Sequence, residues 1–193
     1  MNRNKLALNL SKTSIQLLKK AIDNNKFGKI YFVSVNIFWN REQIYYDQDK
    51  WRGTKKLDGG VLSNQAIHHI DMLQWMMGSV DEVTAYSTTA LVEIEAEDTA
   101  VCILKFKNGA LGVIEATTGA RPKDLEGSIS VMGEKGTAIV GGFAMNKIET
   151  WNLPGYESSL DDLSENPPNV YGFGHKKYYE HVVNSFKKSS PYL

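Results

Sequence analysis

Apolar residues recur with two different periods along this chain, and each period predicts a different kind of element. Every second residue from Tyr31 to Trp39 is apolar, which is typical of a strand with one buried face. Upstream, Ile15, Leu18 and Ile22 follow one another at helical spacing and predict an amphipathic helix that ends near NNKFG. The first elements are therefore expected to be a helix and then a strand.

Strand patterns dominate the second half of the chain. VTAYSTTALV and KIETWN each predict a strand, and TAVCILKFKNGALGVIEATT predicts a hairpin that turns at Asn108 and Gly109. GSISVMGEKGTAIVGG predicts a second hairpin around GEKG, and GHKKYYEHVVNSFKK predicts a terminal helix. The order of helix, strand, helix, antiparallel strands and helix indicates an α+β fold. We expect a sheet with a run of antiparallel strands and with helices packed on one face.

The segment from Asp58 to Gly78, DGGVLSNQAIHHIDMLQWMMG, predicts a helix with two occupied faces. On a wheel of about 100° per residue, one arc is apolar and the opposite arc carries a polar row that ends in an indole. The apolar arc contains Leu62, Ala66, Ile70, Leu73 and Met77, and the polar arc contains Asn64, His68, Asp71 and Trp75. The neighbouring His69 lies at the edge of the apolar arc, so we expect His68 and His69 to point in different directions.

Composition and charge narrow the classes of function. The chain has 193 residues, of which 42% are apolar and 23% are charged, an ordinary balance for a globular domain. Its formal net charge is zero, so nothing indicates a nucleic-acid-binding surface. No stretch approaches the roughly 18 apolar residues of a membrane span, and the N-terminus predicts neither signal peptide nor anchor. The single cysteine, Cys102, cannot form an internal disulfide, which favours a reducing, cytoplasmic location.

The row of Asn64, His68 and Asp71 is the first candidate for chemistry. Asn64 and His68 are four residues apart and so are neighbours on a helix surface, and a histidine is suited to proton transfer near neutral pH. The alternative is a partly exposed helix face without a chemical role. A metal site fits less well, because His68 and His69 face apart and His68 with Asp71 supplies at most two ligands.

The loop YYDQDKWRG is the second candidate, because it places Tyr46 and other aromatic residues beside Arg52. Aromatic faces pack against the C–H surface of a sugar ring, and a guanidinium binds phosphate with two parallel hydrogen bonds. The same pattern also fits a surface loop whose aromatic residues pack into the core. The glycines of GEKGTAIVGG lie in a hairpin rather than between a strand and a helix, so a dinucleotide-binding turn is not expected there.

These segments resemble a known family. DGGVLSNQAIHHIDMLQWMMG is similar to the G-G-G-x-L-x-D-x-G-x-H-x-x-D segment of the glucose-fructose oxidoreductase / inositol dehydrogenase / rhizopine catabolism oxidoreductases. LLKKAIDNNKFGKI, VMGEKGTAIV and GHKKYYEHVVNSF resemble other family segments, so the similarity spans most of residues 13–187. YYDQDKWRGT resembles the loop of members that act on nucleotide-linked amino sugars and their uronic acids.

The resemblance implies an N-terminal Rossmann domain that binds NAD(P). It also implies a C-terminal α+β domain that carries an open, mostly antiparallel sheet and the substrate site. This chain resembles the second domain alone, because the glycine-rich cofactor turn and the family's E-K-P lysine segment are missing. It implies that His68 is the acid/base at the sugar hydroxyl. Asn64 stands where many members have an aspartate, so it can orient the substrate or His68 but cannot take a proton. The other substrate-binding candidates are Asp71, Arg52, Tyr46, Arg121 and His175.

Two functions remain open for the whole chain. In the first, residues 1–28 are linker and helix from the domain junction, and residues 29–193 are the C-terminal substrate-binding and oligomerisation domain of an NAD(P)-dependent sugar or nucleotide-sugar dehydrogenase. NAD or NADP would then bind the full-length protein and not this chain, which alone should lack turnover. In the second, the chain is a catalytically inactive binding or oligomerisation module derived from that family. An apolar open sheet face would favour a homo-oligomer.

Overall fold

The computed structural model describes residues 13–155, 179–180 and 183–184. Residues 13–155 form three helices and seven strands, and the seven strands share one sheet. The helices are α1 (Thr13–Asp23), α2 (Gln43–Asp47) and α3 (Ile67–Met77), and the strands are β1 (Ile30–Phe38), β2 (Val80–Thr88), β3 (Thr99–Phe106), β4 (Leu111–Thr117), β5 (Glu126–Gly133), β6 (Gly136–Gly141) and β7 (Lys147–Asn152). None of the helices in the described ranges has the length and hydrophobicity that a membrane span requires.

The sheet has the strand order β2-β3-β4-β1-β5-β6-β7. All neighbouring strands are antiparallel except β1 and β4, which run parallel. The predicted α+β fold with an open, mostly antiparallel sheet is therefore confirmed. Both predicted hairpins are present, and Gly109, in the turn between β3 and β4, has a φ of 87°. Glycine suits that turn because other residues are strained at positive φ.

Helices α1 and α3 pack on one face of the sheet. Val33, Val35 and Ile37 of the central strand β1 are fully buried on this face. Val131 pairs with both Val33 and Ala138, so the buried residues of β1, β5 and β6 point to the same side. There, α3 contacts β1 and α1 contacts β6. Burial of each large aliphatic side chain stabilises the fold by about 1.5–3 kcal/mol.

The opposite face of the sheet carries exposed apolar side chains. Tyr86, Val101, Ile103 and Leu111 point to this side and are between 44% and 82% exposed. We call the surface defined by these four residues the open face. Successive side chains of β3 point to opposite sides of the sheet. Alternate residues are therefore buried, whereas Val101 and Ile103 lie on the open face.

The segment before α3 departs from the predicted wheel. The helix begins at Ile67, so Leu62 and Asn64 lie in the turns that precede it. Those turns are fixed by long-range bonds, because the backbone N–H of Val61 donates to the carbonyl of Glu97 at 2.9 Å. The prediction that Leu62 and Asn64 are helical was therefore wrong. The buried residues of α3 are His69, Met72, Leu73, Met76 and Met77, whereas Ile70 is only partly buried.

The loop after β1, the terminal helix and the domain boundary remain to be compared with the sequence predictions. The loop after β1 contains the short helix α2, which the sequence pattern did not predict. The described residues of the predicted terminal helix, 179–180 and 183–184, are helical. His175 lies outside the described residues. The domain boundary at residue 28 stays a prediction, although α1, which precedes it, contributes Ile15 and Leu18 to the common core.

Candidate active site

The candidate residues lie around the carboxyl ends of β1 and β4 and the start of α3. Tyr46 of α2 is buried, and its hydroxyl donates to Thr118 Oγ1 at 3.2 Å, directly after β4. Burial raises the pKa of Tyr46 above its ordinary value. The ring of Tyr46 also lies against Gly53, where a Cβ atom would meet Tyr46 Cδ1 at 3.3 Å. The predicted sugar-binding loop is thus folded onto the end of the sheet.

Asp58 joins this loop to the segment before α3. Its Oδ2 accepts the backbone N–H of Gly53 at 2.6 Å, and its Oδ1 accepts the side-chain amide of Asn64. Asn64 is therefore oriented by a carboxylate, with its Nδ2 directed to Asp58. Sequence reasoning missed Asp58 as a functional candidate. The available signal was its position immediately before the glycine pair and six residues before Asn64.

His68 lies in the first turn of α3 and is partly exposed. The adjacent His69 is 1% exposed, and its ring packs edge-on against Trp39, with the centroids 5.5 Å apart. The two histidines therefore have different environments, as predicted. Asp71, one turn after His68, is also partly exposed. His68 is therefore the less buried of the two histidines, and its role as acid/base stays a prediction.

Gly59 and Gly60, before α3, lie close to the side chains of Ser63 and Glu97. A Cβ atom on Gly60 would lie 2.1 Å from the Glu97 carboxyl carbon, and one on Gly59 would lie 2.5 Å from Ser63 Cβ. Glu97 Oε1 accepts the backbone N–H of Leu62 at 3.2 Å. The close approach that these glycines permit therefore anchors the turn to the loop between β2 and β3.

Arg52 stacks on two aromatic rings at the mouth of the loop. Its Cζ lies 4.3 Å from the Tyr45 ring centroid and 4.8 Å from that of Trp51, and its Nε donates to Asp49 Oδ2 at 2.9 Å. A cleft of about 550 Å³ opens beside it. The charged residues that line this cleft are four acids and two bases, namely Asp47, Asp49, Glu93, Glu95, Lys50 and Arg52. This cleft therefore has an acidic lining that disfavours a phosphate.

Arg121 and Arg41 occupy the other side of the same loop. Arg121 Nη1 donates to Asn40 Oδ1 at 3.2 Å and to the Thr118 and Ala120 carbonyls, each at 3.0 Å, so Arg121 fastens the connection after β4. Arg41 forms an ion pair with Asp124 at 3.1 Å. Sequence reasoning did not select Arg41.

The structure leaves the assigned roles of the candidates as predictions. It brings Asn64 and the loop of Tyr46 and Arg52 together through Asp58, and His68 follows Asn64 by four residues in the sequence. The cleft of about 550 Å³ is not lined by His68, and a second cleft of about 450 Å³, beside Gly59 and Gly60, is not lined by it either. Within the described residues, no group of three or more His, Cys, Asp or Glu side chains is arranged to hold a metal ion.

Comparison with known proteins identifies relatives of this domain. The family model for the GFO/IDH/MocA C-terminal domain matches residues 15–139. Myo-inositol 2-dehydrogenase of Thermotoga maritima is 33% identical over 138 residues, which cover 69% of this chain and 38% of that enzyme. The chain thus spans much less than the whole of this curated relative.

Two solved structures are more similar in sequence. The WlbA dehydrogenase of Bordetella pertussis, in complex with NADH and UDP-GlcNAcA, is 41% identical with a TM-score of 0.80, covering 99% of this chain and 52% of WlbA. The WlbA dehydrogenase of Chromobacterium violaceum, with the same two ligands, is 43% identical with a TM-score of 0.81, covering 92% of this chain and 50% of that one. Because the family model matches more than half of the sequence, this chain belongs to the GFO/IDH/MocA C-terminal domain family.

Proposed function

We propose that this chain is the substrate-binding domain of an NAD(P)-dependent dehydrogenase that oxidises a hydroxyl group of a sugar or nucleotide-sugar. The observation that carries the proposal is the similarity, at 41% identity over 99% of the chain, to a dehydrogenase solved with NADH and UDP-GlcNAcA. We assign this chemistry to the partly exposed His68 and to Asn64, whose amide is oriented by Asp58.

In this proposal His68 is the general base. Its imidazole takes the proton of the substrate hydroxyl while the carbon that bears this hydroxyl loses its hydrogen as hydride, so a carbonyl forms and charge balances. Proton transfer requires the imidazole within hydrogen-bond reach of the hydroxyl. Asn64 Nδ2 is already directed to Asp58, so Asn64 Oδ1 is the atom that can accept a hydrogen bond from a second hydroxyl.

The described residues fit the substrate half of such a site and do not form a nucleotide cradle. The single parallel pair in the described sheet, β1 and β4, is not connected by the strand, glycine-rich turn and helix that hold a pyrophosphate. A nicotinamide nucleotide, when bound, would accept the hydride. We therefore propose that NAD or NADP is held by residues other than those described here.

The test uses His68→Ala and His68→Asn in a polypeptide that joins this chain to a nucleotide-binding domain, with UDP-GlcNAcA as the first substrate. We expect turnover to fall by about 10²- to 10⁴-fold near neutral pH, because the general base is lost. Lys20→Gln on the exposed side of α1 is the matched control. Unchanged turnover in both His68 variants would exclude His68 as the base.

The alternative function, a catalytically inactive binding or oligomerisation module, is less well supported. The relatives at 33% and 41% identity are named dehydrogenases, and this chain carries His68, the base of our proposal. A full-length protein that binds UDP-GlcNAcA but shows no reduction of NAD or NADP would favour the module.

We also propose that the protein forms a homo-oligomer through the open face. Four large side chains of this face are exposed on adjacent strands, and surface patches of this kind mark association sites. Cys102 is a free, buried cysteine, which agrees with a reducing environment and supports our proposal of a cytoplasmic location.

A further inference from the structure

Arg41 lies at the centre of a row of three arginine side chains at the carboxyl end of β1. Asn40 holds two of them, since its backbone carbonyl accepts Arg41 Nη1 and its Oδ1 accepts Arg121 Nη1 at 3.2 Å. The ring of Tyr45 holds Arg41 and Arg52, whose Cζ atoms lie 5.4 and 4.3 Å from its centroid. Asn40 and the ring of Tyr45 thus hold three guanidinium groups in a continuous row.

Carboxylates act on two of the three arginines. Asp124 pairs with Arg41 at 3.1 Å, Asp49 pairs with Arg52 at 2.9 Å, and Asp58 adds the field of a further carboxylate at Arg52. Arg121, in contrast, donates to amide and carbonyl oxygens, which carry no net charge. Among the described residues, Arg121 therefore has no ion-paired carboxylate, and a bound anion would supply one.

Several guanidinium donors remain available in the row. A guanidinium has five N–H groups. Among the described residues, Arg41 bonds only through Nη1 and Arg52 only through Nε, so Arg41 Nη2 and both terminal nitrogens of Arg52 make no hydrogen bond there. Both side chains are less than 20% exposed and are stacked on rings, which fixes their planes before any ligand arrives. Because these guanidinium groups are already ordered, they would lose less conformational entropy on binding an oxyanion than mobile surface arginines would.

The surroundings indicate where an anion would bind. Arg52 also lines the cleft with Asp47, Asp49, Glu93 and Glu95, and these carboxylates would repel an anion there. Arg41 stacks on Trp39, with Cζ 5.5 Å from the ring centroid. Next to Arg52, Gly53 donates its backbone N–H to Asp58, which also accepts the side-chain amide of Asn64. The row therefore adjoins the candidate active site through Asn64.

We propose that Arg41, flanked by Arg121 and Arg52, forms the subsite for an oxyanion of the substrate, either a sugar carboxylate or the diphosphate of the same nucleotide-sugar. The inference deepens the proposed function and rests on it. Arg41 is the specificity-determining residue of this subsite, because it alone contacts both Asn40 and Tyr45 and so belongs to both halves of the row.

The experiment is calorimetric titration of the 193-residue chain with UDP, UDP-GlcNAc and UDP-GlcNAcA. Arg41→Gln removes the charge. Arg41→Lys keeps the charge but lacks the planar guanidinium, with its paired N–H donors and its stacking on the aromatic rings. Lys20→Gln is the matched charge-removal control on α1. We expect Arg41→Gln to weaken binding by about tenfold or more, and Arg41→Lys to recover only part of it. Near-ultraviolet circular dichroism reports whether each variant keeps the native packing.

The pattern across the probes identifies the anion. Equal weakening for all three probes assigns the subsite to the diphosphate, and weakening for UDP-GlcNAcA alone assigns it to the carboxylate. Affinities that match those of Lys20→Gln in both Arg41 variants would overturn the inference while leaving the proposed function intact. Failure of the unaltered chain to bind any of the three probes would instead count against the proposed function itself.

Discussion

The side-chain amide of Asn64 donates a hydrogen bond to the carboxylate of Asp58, whose other oxygen accepts the backbone N–H of Gly53 at 2.6 Å. A carboxylate accepts hydrogen bonds and donates none, so the amide nitrogen of Asn64 is the atom that must face it. Asp58 therefore fixes the orientation of Asn64 and ties the aromatic loop to the turn before α3.

Asn64→Asp should make this contact repulsive. The carboxyl group introduced at position 64 would face Asp58, so folding should favour its protonated form. The free energy of unfolding should fall by about 1–3 kcal/mol at pH 7.5. A carboxyl group with a raised pKa in the folded state loses its contribution as pH rises, so the deficit should shrink at pH 4.5. Urea unfolding at the two pH values measures this difference.

The double variant Asp58→Asn with Asn64→Asp is the control for that prediction. It restores one amide and one carboxylate in exchanged positions, so it should be more stable than Asn64→Asp alone at pH 7.5. A deficit in Asn64→Asp that is the same at both pH values would show that charge repulsion is not its cause.

Gly136→Ala should destabilise the protein more than Gly60→Ala. At Gly136 the added Cβ would lie 2.0 Å from the backbone oxygen of Asn152, which cannot move without distorting β7. We expect a loss of about 1–3 kcal/mol from this overpacking. At Gly60 the obstacle is the flexible carboxylate of Glu97, so the loss should be about 1 kcal/mol, the hydrogen bond to Leu62. Thermal unfolding ranks the two variants.

The pair Gly60→Ala and Glu97→Ala separates crowding from other effects at Gly60. Once the Glu97 carboxylate is absent, the methyl group at position 60 has room. The two losses should therefore combine to less than their sum. Strict additivity would indicate that Glu97 does not limit the size of residue 60.

Tyr46→Phe should change how stability depends on alkaline pH. Burial raises the pKa of Tyr46 in the folded protein above the value of 10.0, so the folded state holds this proton more tightly than the unfolded state. Its contribution is constant below pH 10 and is lost as pH rises toward the folded pKa. The variant should lose about 0.5–1.5 kcal/mol at pH 8 with the bond to Thr118, yet decline less steeply above pH 10. Urea unfolding from pH 8 to 11 tests this, with the exposed Tyr31→Phe as control.

Ile103→Lys should weaken association of the protein with itself. Ile103 is 59% exposed in the middle of the open face, and a buried, unpaired ammonium in an interface is costly. Sedimentation velocity should show a shift to smaller species at a given concentration. Ile44→Lys, at a site on α2 that is 70% exposed, is the matched control. An identical size distribution for the two variants would argue against the open face as the interface.

The sequence predicted the parts of this fold that depend on near neighbours. The alternation of apolar and polar residues from Val33 to Ile37 predicted the buried face of β1. Asn108 and Gly109 predicted a turn, because the geometry of a turn depends on adjacent residues. Asp58 and Arg41 were missed because their significance depends on contacts across the fold. Arg41 meets Asp124 only after β1 and β5 have paired, and no local pattern encodes that contact.

The predicted extent of the helix with two occupied faces was wrong for a related reason. The prediction assumed that this helix extends back to Leu62. The turn at that position is instead fixed by the carbonyl of Glu97, which lies in the loop between β2 and β3. His68 and Asp71 lie within α3 and kept their predicted relation. Asn64 lies before α3, so its orientation comes from Asp58 instead of helical geometry.

The central position of β1 has a consequence for the synthesis of the protein. Ile37 pairs with Ala116 on one side and with Gly127 on the other, so β1, which precedes both neighbours in the chain, receives them only much later. In a nascent chain that ends before β5, one edge of the apolar strand β1 is unpaired. Such non-local pairing slows folding and exposes strand edges to aggregation. We expect ribosome-bound fragments to stay open to proteases until β5 has emerged, and then to become resistant in one step.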